Sequence, residues 1–313
     1  MKPPFAITDK ILNLVSTIER LIGRIESLDH PKPQPQLRKS NRVRTLQGSL
    51  AIEGNSLDLE QVTAILDGKR VIAPKNDIQE VLNANAAYEN LPIYKPANQK
   101  HLLKSHAVIM KGLIAEAGRW RSGNVGVMKG DEISHMAPPA ERVPYLMDDL
   151  FKFLKTDTHA LIQGCVFHYE FEFIHPFQGG NGRIGRFWHT LMLYHYHEVF
   201  EYIPVESLIK DHQKQYYNTL EQCDHAGEST QFIEFSLEMI MKSLEDFMDV
   251  FRPKTTTPID RLANARKHFS DTSFSRKDYL DLHKTISTAT ASRDSKVGVD
   301  RNLLEKSGDK ALT

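Results

Sequence analysis

The stretch His175-Pro176-Phe177-Gln178-Gly179-Gly180-Asn181-Gly182-Arg183-Ile184-Gly185-Arg186 carries the residue types that do chemistry at close spacing. One imidazole stands before a glycine-rich turn, and two arginines follow three residues apart. Glycines leave the backbone bare and permit positive φ. Consecutive bare N–H groups form a concave anion site, which the start of the next helix reinforces. Ile184, Phe187, Trp188, Leu191 and Met192 recur at helical spacing, so a helix starts at once. Arg183 and Arg186 then share one face near its N-terminus. Two guanidiniums beside a row of N–H donors suit a polyphosphate. His175, with an ordinary pKa of about 6.5, is mostly neutral at pH 7 and can take a hydroxyl proton.

The elements around the loop follow from the same stretch. Pro176 ends an apolar helix predicted over roughly residues 159–174 and holds His175 at the junction. The loop is not a P-loop, because no Lys-Ser or Lys-Thr follows it. A helix precedes it rather than a strand, so it is not a Rossmann turn.

This stretch resembles the signature of the Fic family, H-P-F-x-[D/E]-G-N-G-R-x-x-R. The resemblance implies a base at His175, which deprotonates a Ser, Thr or Tyr hydroxyl on a target protein. That oxygen attacks the α-phosphate of ATP, and AMP is transferred with release of pyrophosphate. It further implies that Gly180, Asn181 and Gly182 hold phosphates, and that Arg183 and Arg186 bind the β and γ phosphates. Position 179 departs from the pattern, with Gly where the family has a Mg2+-binding carboxylate. Mg2+ is still expected from the family, riding on the phosphates with its waters, with weaker metal binding and slower reaction.

A second motif is Ser49-Leu50-Ala51-Ile52-Glu53-Gly54-Asn55. Val43, Leu46 and Leu50 mark an amphipathic helix, and Gly54 suits a left-handed cap. Glu53 then falls in the last helical turn, where the macrodipole disfavours a carboxylate that lacks a cationic partner. The stretch resembles the inhibitory motif [S/T]-x-x-x-E-[G/N] of Fic proteins. The resemblance implies that Ser49 and Glu53 form the inhibitory element, with Glu53 pairing with Arg186 at the γ-phosphate position. In some relatives the same Glu supports removal of AMP from modified targets.

Composition sets outer bounds. The chain has 313 residues, 40% of them hydrophobic, enough for a real core and two or three units. Lys plus Arg equals Asp plus Glu at 40 each, so global charge points to no partner. Cys165 and Cys223 show neither metal spacing nor a disulfide framework, which favours a reducing cytoplasm. The start lacks a long apolar stretch and no run reaches membrane-spanning length, so a cytoplasmic protein without a membrane partner is expected.

The expected fold is all-α: a Fic/Doc-type helical core with a small β-hairpin flap, followed by a winged-helix-like domain. Residues 1–95 read as an N-terminal helical region, 96–251 as the catalytic core, 252–257 as a linker and 258–313 as the last domain. A helix is predicted over 7–28, with a stripe of Ile11, Leu12, Val15, Ile18, Leu21, Ile22 and Ile25. Pro31, Pro33 and Pro35 predict an extended linker. Helices follow over 59–66 and 77–90, and most of 98–250 is helical. The exception runs from Val125 to His135, where short β-favouring runs flank a Gly130-Asp131 turn. In Fic proteins such a flap docks the target backbone by strand addition, which implies that role for Val125, Val127 and Ile133. His135 reads as flap structure. The resemblance places Tyr217 and Asn218, beside Tyr216, where relatives contact adenine.

In the last domain Ser275 is a helix N-cap, Ser287–Val297 a recognition helix, and Leu303–Lys310 a strand and turn. Residues 258–313 hold 11 Lys or Arg and 8 Asp or Glu, a net of +3 that permits DNA contact. The chain ends at Thr313, before a full wing is expected.

Three functions compete. The first is protein adenylylation on a target or on the chain itself, autoinhibited by Glu53, with self-association among its expected partners. The second is a nucleotide-sensing, winged-helix DNA-binding regulator, which Gly179 favours. The third is a metal hydrolase built on His168, Glu170, Glu172 and His175, and core packing explains that segment better.

Overall fold

A computed structural model of the protein describes residues 3–27, 35–129, 132–251, 257–270, 272–284 and 286–307. The chain divides into two compact units, Met1–Val250 and Phe251–Thr313. Among the described residues helices dominate, and the sheet is a two-stranded hairpin, in keeping with the all-α class. No helix among them is long and apolar enough to cross a membrane.

The centre of the first unit is the pair α7 (Ala160–Ile174) and α8 (Asn181–Tyr196). Leu161, Cys165, Val166, Phe167 and Phe171 of α7 are fully buried, as are Ile184, Phe187, Trp188 and Leu191 of α8. A helix that is apolar around most of its circumference belongs in a core, so this pair forms the floor of the first unit. The loop carrying the phosphate-type motif joins the two and stays with them.

The N-terminal helices pack on this floor. α1 (Asp9–Glu26) starts at Thr8, whose Oγ1 accepts from the Ile11 N–H. Its buried face is Ile11, Leu14, Ile18, Leu21, Ile22 and Ile25. The predicted stripe had Leu12 where Leu14 belongs, and Leu12 is 56% exposed. Positions 11, 14, 18, 21, 22 and 25 hold the helical spacing better than a stripe through 12 and 15. Lys10 pairs with Glu238 of α11 (Thr230–Phe251) at 2.6 Å.

Pro35 is the first residue of α2 (Pro35–Ile52), not part of an extended linker. Its fixed φ suits a first turn, where its missing N–H costs nothing. Pro31 and Pro33 lie outside the described residues. α2 crosses α9 (Val205–Asp211) closely, since a Cβ on Gly48 would lie 2.8 Å from Ser207 Cα. That contact fixes the height of the C-terminal end of α2 over the floor.

α3 (Leu59–Leu66) opens with a capping box between Asp58 and Gln61, and α4 (Lys75–Glu89) and α5 (Gln99–Ile109) follow. The hairpin pairs β1 (Gly126–Lys129) with β2 (Glu132–Met136), antiparallel, with a register shift between Val127 and Met128. Val127 faces His135 and Met128 faces Ile133 in the ladder, while Val125 lies just below it and accepts from the Ala137 N–H at 3.3 Å. The Gly130-Asp131 turn lies outside the described residues. α6 (Val143–Phe153) links the hairpin to α7, and α10 (Gln213–Ala226) follows α9.

The second unit is a three-helix cluster: α12 (Pro258–Phe269), α13 (Arg276–Leu282) and α14 (Thr288–Asp300). Thr257 and Ser275 close capping boxes with Asp260 and Asp278, and Ser287 caps α14. Residues 252–256 of the expected linker lie outside the described residues. Leu262, Ala265, Tyr279 and Ala291 form the core. Arg261 meets Asp294 through two hydrogen bonds of 2.6 and 2.8 Å, and Tyr279 donates to the same carboxylate. The strand expected over Leu303–Lys310 is not one over 303–307. There Leu303 and Leu304 both donate to the Gly298 carbonyl, and Leu304 packs on Gly298. The chain closes the end of α14 instead of starting a wing. Residues 308–310 lie outside the described residues.

Candidate active site

His175 is the C-cap of α7 and takes φ 50°, ψ 58°, a left-handed conformation unusual for a side chain with a Cβ. Such backbone strain persists only where surrounding contacts enforce it. Here they are visible. Its N–H donates to the Phe171 carbonyl, and its own carbonyl accepts from Arg121 Nε at 2.8 Å. Arg121 is 3% exposed and spends its guanidinium on carbonyls: His175, Gly123, Pro138 and Ile174. Its N–H donates to the Pro176 carbonyl. One buried arginine therefore ties the His175 junction to the segments that flank the hairpin.

The imidazole is held in one tautomer. Nδ1 lies 3.3 Å from the Glu172 carbonyl, which can only accept, so Nδ1 carries the proton. Nε2 keeps its lone pair. Burial lowers the pKa to about 4, against a smaller upward pull from that carbonyl. The ring is therefore neutral over the whole physiological range.

The loop after His175 is braced by neutral groups. Asn181 Oδ1 accepts from the Phe177 N–H and Asn181 Nδ2 donates to the Phe177 carbonyl, each at 2.9 Å. Asn181 is 2% exposed, and the part of it that remains for an anion is its backbone N–H at the start of α8. Both of its polar atoms are used in closing the loop. His106 stacks flat on Phe177, with ring centroids 3.5 Å apart, and accepts from the Gly118 N–H at Nδ1. Its Nε2 must then carry the hydrogen, which it donates to the Gly179 carbonyl at 3.0 Å. Burial again lowers this pKa to about 4. Of the loop glycines only Gly180 takes positive φ, at 80°, as the N-cap of α8. A side chain there would collide with Met110.

The first N–H groups of α8, at Asn181, Gly182 and Arg183, point out of the helix without intrahelical acceptors. Glu53 occupies the space above them. A Cβ on Gly182 would fall inside contact with Glu53 Oε1. Glu53 Oε1 lies 2.8 Å from Arg186 Nη2. Arg186 is 1% exposed and also donates to the Ser49 carbonyl at 2.9 Å and, through Nε, to Ser49 Oγ at 3.2 Å. Burial works against the Glu53 charge, but Arg186 outweighs it, so the carboxyl sits below its ordinary pKa. Glu53 is one residue beyond α2, not in its last turn. Its N–H and that of Gly54, at φ 89°, close the helix onto Leu50 and Ala51. The carboxylate lost to the α2 dipole is recovered at the positive end of α8.

Several partners were not legible in sequence. Glu80 of α4 pairs with Arg183, and Gln213 Nε2 donates to the Ile52 carbonyl at 3.0 Å. Glu80 reads as a solvated helical Glu, and Arg121 binds only carbonyls, which carry no sequence signal. His135 anchors the hairpin base through Nδ1 to Asp224 at 2.8 Å and Nε2 to the Phe173 carbonyl at 2.8 Å. Burial opposes its charge, yet Asp224 and that carbonyl raise its pKa overall.

Of the two residues placed at adenine, Tyr217 reaches the site: its hydroxyl lies 3.4 Å from the Ile52 carbonyl, next to Glu53. Asn218 faces a different hollow, lined with Asp211, Lys214 and Gln222, and is not brought to the loop. One residue along a helix turns the side chain by about 100°, which separates the two. Tyr216 is core, 1% exposed, against His168.

Metal ligation has little to stand on. Among the described residues no group of three His, Cys, Asp or Glu is placed to hold a metal. His168 is fully buried among Phe232, Tyr216 and His189, so the metal-hydrolase constellation dissolves into core. Burial raises Glu172 to about 8 and Glu170 to about 7. Gly179 offers no ligand, and a resident Mg2+ does not fit the residues present. The space does exist, because a Cβ at 179 would meet only Ile114, at an ordinary 3.8 Å.

A strained neutral histidine, a helix N-terminus and a carboxylate-capped arginine thus lie around one loop. Residues 96–193 match the model of the Fic/DOC family. The solved structure of a Fic family protein from Desulfovibrio desulfuricans G20 is 41% identical, with a TM-score of 0.78, covering 96% of this chain and 92% of that one. The chain belongs to the Fic family. It is also 26% identical over 242 residues to a protein adenylyltransferase Fic of Nematostella vectensis, covering 72% of this chain and 52% of that protein. One from Culex quinquefasciatus is 25% identical, covering 67% and 42%. The chain spans about half the length of the curated relatives it matches.

Proposed function

We propose that the protein is a nucleotidyltransferase that moves AMP from ATP to a Ser, Thr or Tyr hydroxyl, on a target protein or on itself. His175 Nε2 accepts the hydroxyl proton. The oxygen forms a bond to the α-phosphorus, the α–β phosphoanhydride bond breaks, and pyrophosphate leaves. The N–H groups at the start of α8 and the Arg183 and Arg186 guanidiniums neutralise the charge that develops. The hairpin offers strand pairing to the target backbone through the segment holding Val125, Val127 and Ile133. In the resting state Glu53 occupies the anion position on Arg186, with Ser49 as its brace, so ATP is held unproductively. Glu53 also stands where it can assist water in the reverse reaction, removal of AMP. Mg2+ travels with the nucleotide, because no side chain at 179 holds it.

The observation that carries this reading is the single hydrogen-bond frame of His175, with Nδ1 tied back and Nε2 free beside the α8 N-terminus. The relatives named protein adenylyltransferase support it. The test is incubation with α-labelled ATP and Mg2+ of wild type, Glu53→Gly, Gly179→Asp and the double variant. Label in wild type or Glu53→Gly is expected, strongest in the double variant. No label in any form removes the transferase reading.

Gly179 favours a second reading: a nucleotide-sensing regulator without transfer, acting on DNA through residues 258–313. In that case all four forms bind nucleotide without label, and duplex DNA binding weakens steeply with salt.

A further inference from the structure

Glu53 is not the only carboxylate on the motif arginines. Glu80 Oε1 pairs with Arg183 Nη1, and each side chain is 16% exposed. The other oxygen of the same carboxylate, Oε2, accepts from Asn55 Nδ2 at 2.8 Å. Asn55 lies two residues after Glu53. Its Nδ2 also reaches the Asp77 carbonyl, and Ser56 donates twice to the Asp77 carboxylate, at 3.0 and 2.6 Å. The turn that carries Glu53 is therefore stapled to α4, and Glu80 is the staple that also touches Arg183. Arg183 Nε is buried without a partner, so Glu80 satisfies only part of this guanidinium. An incoming polyphosphate has donors left to take.

We propose that Glu80 is a second carboxylate latch: it competes with the polyphosphate for Arg183 and couples that competition to release of Glu53 through Asn55. The inference rests on the nucleotide-binding reading of Arg183 given above. When phosphate oxygens take Arg183, Glu80 loses its cation, and its hold on Asn55 is all that remains. The turn bearing Glu53 is then freer to move from Arg186. In the absence of nucleotide the two latches support each other, since each holds the Asn55 turn in place. Glu80 lies on α4 and Glu53 just beyond α2, so the N-terminal region closes the site at two points rather than one.

The test is the affinity of the purified full chain for ATP and for AMP, by calorimetry, in wild type, Glu53→Gly, Glu80→Gln and the double variant. Gln keeps the shape and an acceptor for Asn55 but removes the charge, and melting temperature checks folding. Glu80→Gln is expected to bind ATP about fivefold tighter than wild type, the scale of a partly exposed ion pair. AMP affinity should not move, because its one phosphate does not extend to Arg183. The gain should shrink but persist in the Glu53→Gly background, where only the direct competition is left. Equal or weaker ATP binding by Glu80→Gln, alongside tighter binding by Glu53→Gly, overturns the latch and leaves the site reading intact. An equal gain for AMP also overturns it, since that is general loosening. No ATP binding by any form overturns both.

Discussion

The two ends of the 175–186 segment are held by opposite kinds of force. At the His175 end the loop is fixed by hydrogen bonds to backbone groups, with no carboxylate involved: Arg121 on four carbonyls, His106 on the Gly179 carbonyl, Asn181 on both sides of Phe177. At the α8 end, Arg183 and Arg186 are held by carboxylates from the N-terminal helices. An incoming anion has nothing to displace at the first end and two competitors at the second. In the proposed reaction, shape is therefore permanent where the proton would move, and charge is exchangeable where phosphate would bind. A site that must be both preorganised and switchable separates the two jobs this way.

The comparison breaks most visibly at His175. In the Glu53→Gly background, His175→Ala should cut labelling from ATP by about 10²–10⁴-fold, the range for a general base, with nucleotide affinity unchanged. An equal loss of affinity would mean that the ring binds rather than transfers protons. Next is the frame. Arg121→Met leaves buried carbonyls without donors and should cost about 2–4 kcal/mol in denaturant unfolding. Stability within error of wild type would show that the loop does not depend on it.

The exchangeable end gives smaller changes in the other direction. Gly182→Ala drives a methyl into the Glu53 carboxylate, the movable end of a side chain, and to 2.9 Å from Arg186 Nη1. Labelling should rise a few-fold over wild type, on the order of 1 kcal/mol, and should not rise when Glu53 is already Gly. A rise in both backgrounds would place the effect on the loop rather than on the latch. The smallest effect is with pH. A base works unprotonated, and burial lowers His175 to about 4. Labelling should stay level from neutral down to about pH 5 and fall only as pH approaches 4, where an ordinary histidine would begin to lose activity near about 6.5. Arg186 holds Glu53 below its ordinary pKa, and the Glu53 charge pulls His175 slightly upward, so the acid limb of Glu53→Gly should fall at or a little below that of wild type. An acid limb near 6.5 would sink the buried-base account.

Much of this was legible because local rules carry it. Helical spacing marks α1, α3, α4, α7 and α8, and the turn chemistry of Gly180 and Gly54 is a matter of φ alone. A capping signal at Ser275 gave the start of α13, and α14 starts beside Ser287, where the next helix is expected to begin. The strand expected at Leu303 failed for a nonlocal reason, since Gly298 offers Leu304 a place to pack that residue patterns do not show. Leu12 and Leu14 are both apolar on the same helix, and the full set of spacings, once counted, favours Leu14, the residue that is buried.

Sequence by itself determined the order of chemical groups: a histidine before a proline, bare glycines, two arginines on one helix face, and a glutamate near the end of a helix, 122 residues before the histidine motif begins. Chain connectivity and backbone sterics are enough for that. Tertiary structure decided everything that depends on distance between segments. It turned Asn181 inward, freed Nε2 of His175, set Asn218 away from the loop, and gave Arg183 to Glu80. Hydrogen bonds and ion pairs act over a few ångströms, and only packing brings residues 53, 80, 121 and 186 within that reach.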